Sequence, residues 1–250
     1  MSVVIPVFNE QEEITTVVPA VVRALEARGA DWEILVVDNA SEDLTGQRMA
    51  PFLRDSRIRL LRNESNRGKG YSVRRGMLEA TGELRLLCDA DCTPSLASLP
   101  AMEALIGECE IVAGARNAAD SQVARYQPIQ RRAASLAFIF LCRRVMGEPL
   151  RDVFCGFKLF TAAAAQDVFS RTRIEGWAFD AEALALARAM GYRVQACGIV
   201  WVHRPGSRLS MTRIVIPVLR ELVAARAHLR TQSMSPAPTA AAVPDSGRGG

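Results

Sequence analysis

The stretch LLCDADCTP, residues 86–94, ends an apolar run with two aspartates only two positions apart, Asp89 and Asp91. Like charges at that spacing repel each other, and burial strengthens the repulsion. Two explanations are open: the pair is the polar end of a strand, or it holds a divalent cation. The sequence on either side has to discriminate between them.

Apolar strands and amphipathic helices alternate ahead of this stretch. Strands are predicted at residues 2–8, 32–38, 57–61 and 84–89, and helices follow the first of them and span residues 69–81. This alternation is typical of βαβ units and a parallel sheet. Asn9 is predicted to cap the first helix, in which Pro19 is expected to cause a kink or a break.

Polar residues stand at the carboxyl ends of three of these strands. Asn9 and Glu10 follow the first strand, Asp38 and Asn39 the second, and the aspartate pair the fourth. Ligands of parallel sheets bind at that edge. The convergence of three polar clusters favours a ligand site over a chance pair of aspartates.

The α/β pattern continues to about residue 210 and then ends. Further strands are predicted at residues 110–116, 154–160 and 192–204, with helices at 129–145, 162–169 and 180–190. We predict one α/β domain over residues 1–210, with a mostly parallel sheet and helices on both faces. An amphipathic helix over 211–232 and a disordered tail over 233–250, rich in Pro, Ala, Ser and Gly, complete the chain.

The composition excludes several classes of protein. With 49% hydrophobic and 23% charged residues the chain resembles an ordinary soluble domain, and a net charge of +4 is too weak to indicate nucleic acid. The six cysteines form no C-x-x-C pair and favour buried, reduced thiols in the cytosol. Neither a signal peptide nor a transmembrane helix is predicted, since the most apolar helical piece, residues 133–142, has about half of the ~20 residues needed.

Common nucleotide-binding and hydrolase motifs are absent. The segment NRGKGYSV, residues 66–73, lacks the third glycine of a dinucleotide fingerprint, and Gly70 stands where a P-loop has Ser or Thr. No G-x-S-x-G occurs, and both histidines, His203 and His228, come late. A divalent ion suits the aspartates better, because residues i and i+2 at a strand end face the same way. Mg²⁺ and Mn²⁺ prefer oxygen ligands such as carboxylates. These ions also bind diphosphates and stabilise the charge that develops as a diphosphate leaves.

Seven segments resemble family 2 glycosyltransferases of the GT-A fold, in the family's order. They are VVIPVFNE, ILVVDNAS, NRGKGYSVRRGM, CDADCTP, DVFCGFKLF, GWAFDAEAL and VHRPGSRL. The chain looks most like the polyprenyl-phosphate branch, and NRGKG, CGFKLF and GWAFDAE are most similar to dolichyl-phosphate β-glucosyltransferases. The resemblance covers about residues 2–226 and implies a GT-A glycosyltransferase domain.

The resemblance also implies roles for individual residues. The nucleotide-sugar side would comprise Pro6, Asn9, Glu10, Asp38 and Lys69. The catalytic set would comprise Asp89, Asp91, Arg116 and Arg208, with Asp89 and Asp91 holding Mg²⁺ or Mn²⁺. The acceptor and phosphate side would comprise Arg131, Arg132, Gly156, Lys158, Asp180 and Glu182.

Plainer interpretations of some of these residues stay open. Lys69 can equally be a solvated charge at a helix start, and one of Asp180 and Glu182 is expected to be structural. Trp177 and Phe179 are more typical of a core than of a sugar platform. Two departures from the family pattern matter: Asn39 replaces the usual second acid, and Thr93 replaces the glutamine of mannosyl relatives, which supports the glucosyl branch.

The implied reaction is inverting transfer of a hexose, glucose from UDP-glucose, to a polyprenyl or dolichyl phosphate. A phosphate monoester is already ionised at neutral pH, so it needs positioning and charge neutralisation but no general base. The alternatives are a GDP-mannose-dependent polyprenyl-phosphate mannosyltransferase, a family 2 transferase with a saccharide acceptor, and a non-catalytic nucleotide-sugar-binding subunit.

The expected location is cytoplasmic, peripheral at the cytosolic face of a membrane, with a membrane-protein partner as one means of attachment. On a helical wheel the apolar residues of the last helix share one face: Ile214, Val215, Val218, Leu219, Leu222, Ala225 and Leu229. Such a face either lies in a membrane interface or packs on the domain, and the sequence leaves both open.

Overall fold

The computed structural model describes residues 1–116, 118, 121–125, 140, 144, 145, 147, 152–202 and 211–231. Arg131, Arg132 and Arg208 therefore lie outside the described residues, as do most of the predicted helix 129–145 and the predicted tail.

Nine strands are present among the described residues, and seven of them form the central sheet. The strands are β1 (Ser2–Val7), β2 (Glu33–Asp38), β3 (Ile58–Arg62), β4 (Leu84–Cys88), β5 (Ile111–Ala115), β6 (Gln122–Arg125), β7 (Phe157–Thr161), β8 (Val194–Gly198) and β9 (Val200–Val202). The order in the central sheet is β3-β2-β1-β4-β7-β5-β8, and every pair is parallel except those that β7 makes with β4 and β5. A short parallel pair, β6 with β9, forms a second sheet.

The strand order reverses between β1 and β4. From β1 the chain builds β2 and β3 to one side and then returns to place β4 on the other side of β1. A crevice opens at such a switch point, outside the carboxyl ends of the two strands. Asn9 and Glu10 follow one of these strands, and Asp89 follows the other, so the predicted polar clusters border this crevice.

Helices cover both faces of the sheet. They are α1 (Ile14–Glu26), α2 (Thr45–Met49), α3 (Lys69–Glu79), α4 (Leu99–Leu105), α5 (Ala162–Arg171), α6 (Phe179–Ala189) and α7 (Met211–Thr231). Along β1, Val3 and Ile5 belong to one hydrophobic core and Val4 to the other. Strands buried on both sides read as continuous apolar runs, which is why β1, β2 and β4 were visible in the sequence.

The turn after β1 differs from the prediction. Helix α1 begins at Ile14, with Glu13 at its N-cap. Asn9 instead has a φ of 55°, in the left-handed region that Asn tolerates, and its side-chain oxygen accepts the Glu42 N–H at 2.9 Å. Asn9 therefore shapes a loop and does not cap a helix. Helix α1 continues past Pro19 without a break.

The second half of the chain also departs from the predicted bounds. The strand predicted at residues 154–160 begins only at Phe157, because residues 154–156 turn beneath the end of β4. The single strand predicted at residues 192–204 is two strands in two sheets, β8 and β9. Helices α2 and α4 and strand β6 were not predicted; the two helices are 5 and 7 residues long and β6 is 4, too short for a clear periodicity.

Helix α7 packs its apolar face on the domain. Val218, Leu222 and Ala225 are buried in the core that α3, α5 and α6 also line. The packing alternative thus holds for these residues, while Val223 is 61% exposed. In the part of the chain that the structure describes, every helix is too short or too polar to span a bilayer.

Candidate active site

Asp89 and Asp91 lie in a turn and not on a strand. Strand β4 ends at Cys88, and the Cys92 N–H donates to the Asp89 carbonyl oxygen at 2.9 Å. Strand alternation therefore does not orient the pair, contrary to the sequence argument. The turn separates their environments: Asp89 is half-buried and Asp91 is exposed.

Asp89 has one satisfied and one unsatisfied carboxylate oxygen. Its Oδ2 lies 2.5 Å from Lys69 Nζ, whereas Oδ1 is buried without a hydrogen-bond partner. Burial raises the pKa of this carboxyl above its ordinary value, and the negative charge of Asp91 adds to the shift while Lys69 opposes it. A buried oxygen without a partner is costly, so this atom is poised to accept a ligand.

These residues fit a divalent cation. Two adjacent carboxylates supply hard oxygen ligands, and one of their oxygens is buried without a partner. Among the described residues no set of three or more His, Cys, Asp or Glu side chains is arranged to hold a metal. The remaining ligands would therefore be water and substrate oxygens, as is usual for Mg²⁺ bound beside a phosphate.

Gly156 makes room for Asp89. The Asp89 N–H donates to the Gly156 carbonyl oxygen at 2.9 Å, and a Cβ added at Gly156 would overlap the Asp89 carboxylate. The requirement is for space, because Gly156 does not have a positive φ. Gly156 therefore leaves space for the Asp89 carboxylate and supplies no side-chain group of its own.

Lys158 and Asp180 form a buried ion pair near the turn. Lys158 Nζ lies 2.5 Å from both Asp180 Oδ1 and the Cys155 carbonyl oxygen, and Lys158 is 1% exposed. Lys69 and Asp89 also act electrostatically on Asp180. The sequence assigned Lys158 and Asp180 to the acceptor side, but the structure buries both and pairs them with each other. Their arrangement favours support of Lys69 and Asp89 over direct contact with an acceptor.

Arg116 is held by Asp152. Arg116 Nε and Nη2 donate to the two Asp152 oxygens, each at 2.8 Å, and the Arg116 N–H donates to Oδ2 at 2.9 Å. Burial opposes ionisation of Asp152, but the guanidinium lowers the pKa of this carboxyl below its ordinary value. The fork that was predicted to bind phosphate is thus engaged by a carboxylate, which fixes its orientation.

The donor-side residues tie the ends of β1 and β2 together. The N–H groups of Asn9 and Glu10 donate to the hydroxyls of Ser41 and Thr45, each at 2.9 Å. Pro6 lies within β1, opposite Val37 of β2. Each of these residues is therefore at the crevice edge, as predicted, and their contact with a nucleotide stays a prediction.

Asp38 is fully buried and internally satisfied. One oxygen accepts the Ser41 N–H at 2.8 Å, and the other accepts from Arg62 Nη1 at 3.0 Å. This is the geometry of a cap for the turn after β2. The neighbouring Asn39 accepts from Asn63 and from the Arg67 N–H, and so anchors the segment that leads into α3 and Lys69.

The loop of residues 172–178 caps the start of α3. The N–H groups of Gly70 and Tyr71 donate to the Gly176 and Glu175 carbonyl oxygens, each at 3.2 Å. These N–H groups are in the first turn of α3, which has no partners within the helix. A Cβ at Gly68 or at Gly70 would collide with the loop backbone. The motifs NRGKG and GWAFDAE are far apart in sequence but meet here.

Glu182 positions this loop through one carboxylate oxygen, and its other oxygen is buried without a hydrogen-bond partner. Its Oε2 accepts the N–H groups of Arg173 and Ile174 at 3.0 and 2.8 Å. One of Asp180 and Glu182 was expected to be structural, and Glu182 has this role more clearly. Phe179 is buried, as predicted, but Trp177 is 41% exposed, and its ring centre lies 5.4 Å from Lys69 Nζ. The expectation of a core position is wrong for Trp177.

The mostly parallel sheet with helices on both faces is a domain of the GT-A fold, the predicted fold class. The family model for glycosyl transferase family 2 matches residues 2–169. The chain belongs to this family and is a glycosyltransferase, as the sequence motifs indicated.

Two curated relatives that match most of this chain are dolichyl-phosphate β-glucosyltransferases. The dolichyl-phosphate β-glucosyltransferase of Dictyostelium discoideum is 29% identical over 240 residues, 90% of this chain and 73% of the relative. The protein of that name from Mus musculus is 29% identical over 224 residues, 84% of this chain and 69% of the relative.

Solved structures show the same fold. Glucosyl-3-phosphoglycerate synthase from Mycobacterium tuberculosis, in complex with Mn²⁺, UDP-glucose and phosphoglyceric acid, superposes with a TM-score of 0.63 at 17% identity. The match covers 90% of this chain and 79% of that one.

Proposed function

We propose that this protein transfers glucose from UDP-glucose to dolichyl phosphate or another polyprenyl phosphate, with inversion at the sugar. The observation that carries the proposal is the half-satisfied Asp89 at the switch point, beside Lys69 and the exposed Trp177. The names of the curated relatives support glucose and dolichyl phosphate.

Asp89 and Asp91 would hold Mg²⁺ or Mn²⁺, which would neutralise charge on the leaving diphosphate. Lys69 is already a fixed positive charge here: burial lowers the pKa of its ammonium, but the nearby carboxylates, led by Asp89, together outweigh burial and raise that pKa. It would stabilise negative charge at the donor phosphates without moving. Asp180, paired with Lys158, also favours the charged form of Lys69.

The acceptor phosphate needs little from the protein beyond orientation. It carries its own negative charge at neutral pH and is the nucleophile. Arg116, held in place by Asp152, would neutralise charge on the acceptor phosphate, because a guanidinium group suits phosphate oxygens. The contributions of Arg131, Arg132 and Arg208 stay predictions.

A lipid acceptor implies work at a membrane surface. We place the protein peripherally at the cytosolic face, attached directly or through a membrane-protein partner. The exposed Arg220 and Val223 on the outer side of α7 support the direct route, because basic and apolar side chains together favour anionic lipid surfaces.

A donor panel tests the proposal. Purified protein is incubated with radiolabelled UDP-glucose or GDP-mannose, Mn²⁺ and dolichyl phosphate, and label is counted in the organic phase. We expect label from UDP-glucose that is lost in EDTA. Transfer from GDP-mannose alone would assign the chain to the mannosyl branch, and donor turnover only with a saccharide added would replace the lipid acceptor.

A further inference from the structure

A single acidic side chain joins the C-terminal helix to the site. Glu221 is the only acidic residue in α7. Its Oε2 accepts the N–H of Ala178 at 3.1 Å, and Ala178 is fully buried at the N-cap of α6. Without Glu221, the buried Ala178 N–H would lose the acceptor that it has in the structure. A carboxylate is also favoured near a helix N-terminus, where the helix dipole is positive.

Glu221 also limits the residue beside it in the 172–178 loop. A Cβ added at Gly176 would overlap the Glu221 carboxylate. The other side of Gly176 faces α3, since its carbonyl oxygen accepts the Gly70 N–H at 3.2 Å. Gly176 is therefore clamped between α7 and the start of α3, and Lys69 is the residue next to Gly70.

Trp177 lies between the two loop residues that Glu221 contacts. Its ring is exposed, and its centre lies 5.4 Å from Nζ of Lys69, whose ammonium contacts Asp89. A shift of the loop would therefore move Trp177 and the cap of α3 together. Apolar side chains would be enough to pack α7 on the domain, as Val218 and Leu222 do. A carboxylate aimed at a loop N–H adds positional control.

We propose that Glu221 is a positioning residue that sets where Trp177 and Lys69 stand beside Asp89, and so couples the C-terminal helix to sugar transfer. The proposal rests on the proposed function in one respect: it takes the substrate at Asp89 and Asp91 to lie against Trp177. Glu221 itself touches no substrate.

The kinetic test compares three variants with UDP-glucose, Mn²⁺ and dolichyl phosphate. Glu221→Ala should lower kcat by at least ~10-fold, with a smaller effect on the KM for UDP-glucose, because misplacing a positioned group slows the chemical step. Glu221→Gln should recover most of that loss, since its amide oxygen can accept the same N–H. Glu108→Ala, the same change at an exposed glutamate in the turn between α4 and β5, is the matched control and should behave as wild type.

A second measurement does not depend on transfer. Acrylamide quenching of tryptophan fluorescence, with Trp177→Phe as the reference, should change in Glu221→Ala and return towards wild type in Glu221→Gln. Gly176→Ala should change it too, and that change should shrink in the Gly176→Ala/Glu221→Ala double variant, because the overlapping carboxylate is gone.

The outcomes separate the two proposals. A wild-type protein that makes no glucolipid refutes the proposed function but leaves the fluorescence arm intact. Unchanged quenching in Glu221→Ala, or strictly additive effects of the two substitutions, overturns the positioning role. A changed quenching with an unchanged kcat also overturns it, because the contact would then only stabilise the fold.

Discussion

Two aspartates at strand ends on either side of β1 have opposite surroundings. Asp38, the last residue of β2, is fully buried, and each of its oxygens accepts a hydrogen bond from the chain. Asp89, after β4, keeps one buried oxygen without a partner and shares the other with Lys69. The completed carboxylate of Asp38 stabilises its turn, whereas the free oxygen of Asp89 is available to a ligand. The two residues share a position at the sheet edge and differ in their hydrogen bonds.

The largest expected effect comes from removing the incomplete carboxylate. Asp89→Asn or Asp91→Asn should lower the transfer rate by at least ~10²-fold, the scale for losing one preorganised electrostatic group. Circular dichroism should show that both variants fold, since neither change alters side-chain volume much. Full activity in EDTA, or in both variants, would contradict a metal-dependent role for the pair.

A smaller loss is expected when the turn is displaced but its charges are kept. Gly156→Ala puts a methyl group where the Asp89 carboxylate lies, and we expect a loss of ~10- to 10²-fold in kcat. Gly46→Ala is the matched control, because its Cβ would meet the end of the Arg62 side chain at 3.2 Å and a carboxylate oxygen of Asp38 at an ordinary contact distance of 3.9 Å. Equal losses in the two variants would show that the space above Gly156 has no special role.

Much of the site's outline could be predicted from sequence. Buried parallel strands appear as apolar runs, and the polar residues that follow them converge by the geometry of the sheet. This reasoning placed Asn9, Asp38 and Asp89 correctly at one edge. It failed on detail at Asp91, because β4 ends one residue earlier than an argument from alternation requires.

Contacts between distant segments were beyond sequence reasoning. Lys69 contacts Asp89 because α3 starts beside the end of β4. Gly156, in the segment just before β7, lies against the same carboxylate. Trp177 was misassigned because large aromatic side chains are more typical of a core, as Phe179 is, whereas Trp177 is exposed. The hydrogen bond from Gly70 to Gly176 joins two glycine-containing motifs, and nothing in the sequence indicates that they touch.

A third comparison uses pH, at the ion pair of Arg116 and Asp152. The pKa of Asp152 is lowered in the folded protein, so the pair stabilises the fold above the ordinary carboxyl pKa, near 4. That stability is lost as pH falls from there through the lower folded-state value. Asp152→Asn should lower the unfolding free energy by about 1–3 kcal/mol at neutral pH. When the unfolding free energy from urea titrations is plotted against pH from 7 to 2, the variant should lose less stability on the acid side than the wild type. An unchanged loss of stability on the acid side would contradict the assignment.

The smallest effect is expected at the completed carboxylate, with the same chemical change as at Asp89. Asp38→Asn keeps an oxygen that can accept the Ser41 N–H, but its amide nitrogen cannot accept from Arg62. The Arg62 side chain is 56% exposed, so its guanidinium can turn to water instead. Because solvent screens such a pair, the unfolding free energy should fall by only about 0.5–1 kcal/mol, as measured by urea unfolding.

Calorimetry with UDP and Mn²⁺ then tests the predicted nucleobase contact of Asp38 on folded protein. An affinity loss well beyond the stability loss would give Asp38 a ligand role despite its internal bonds, and a kcat loss as large as that of Asp89→Asn would remove the distinction between the two turns.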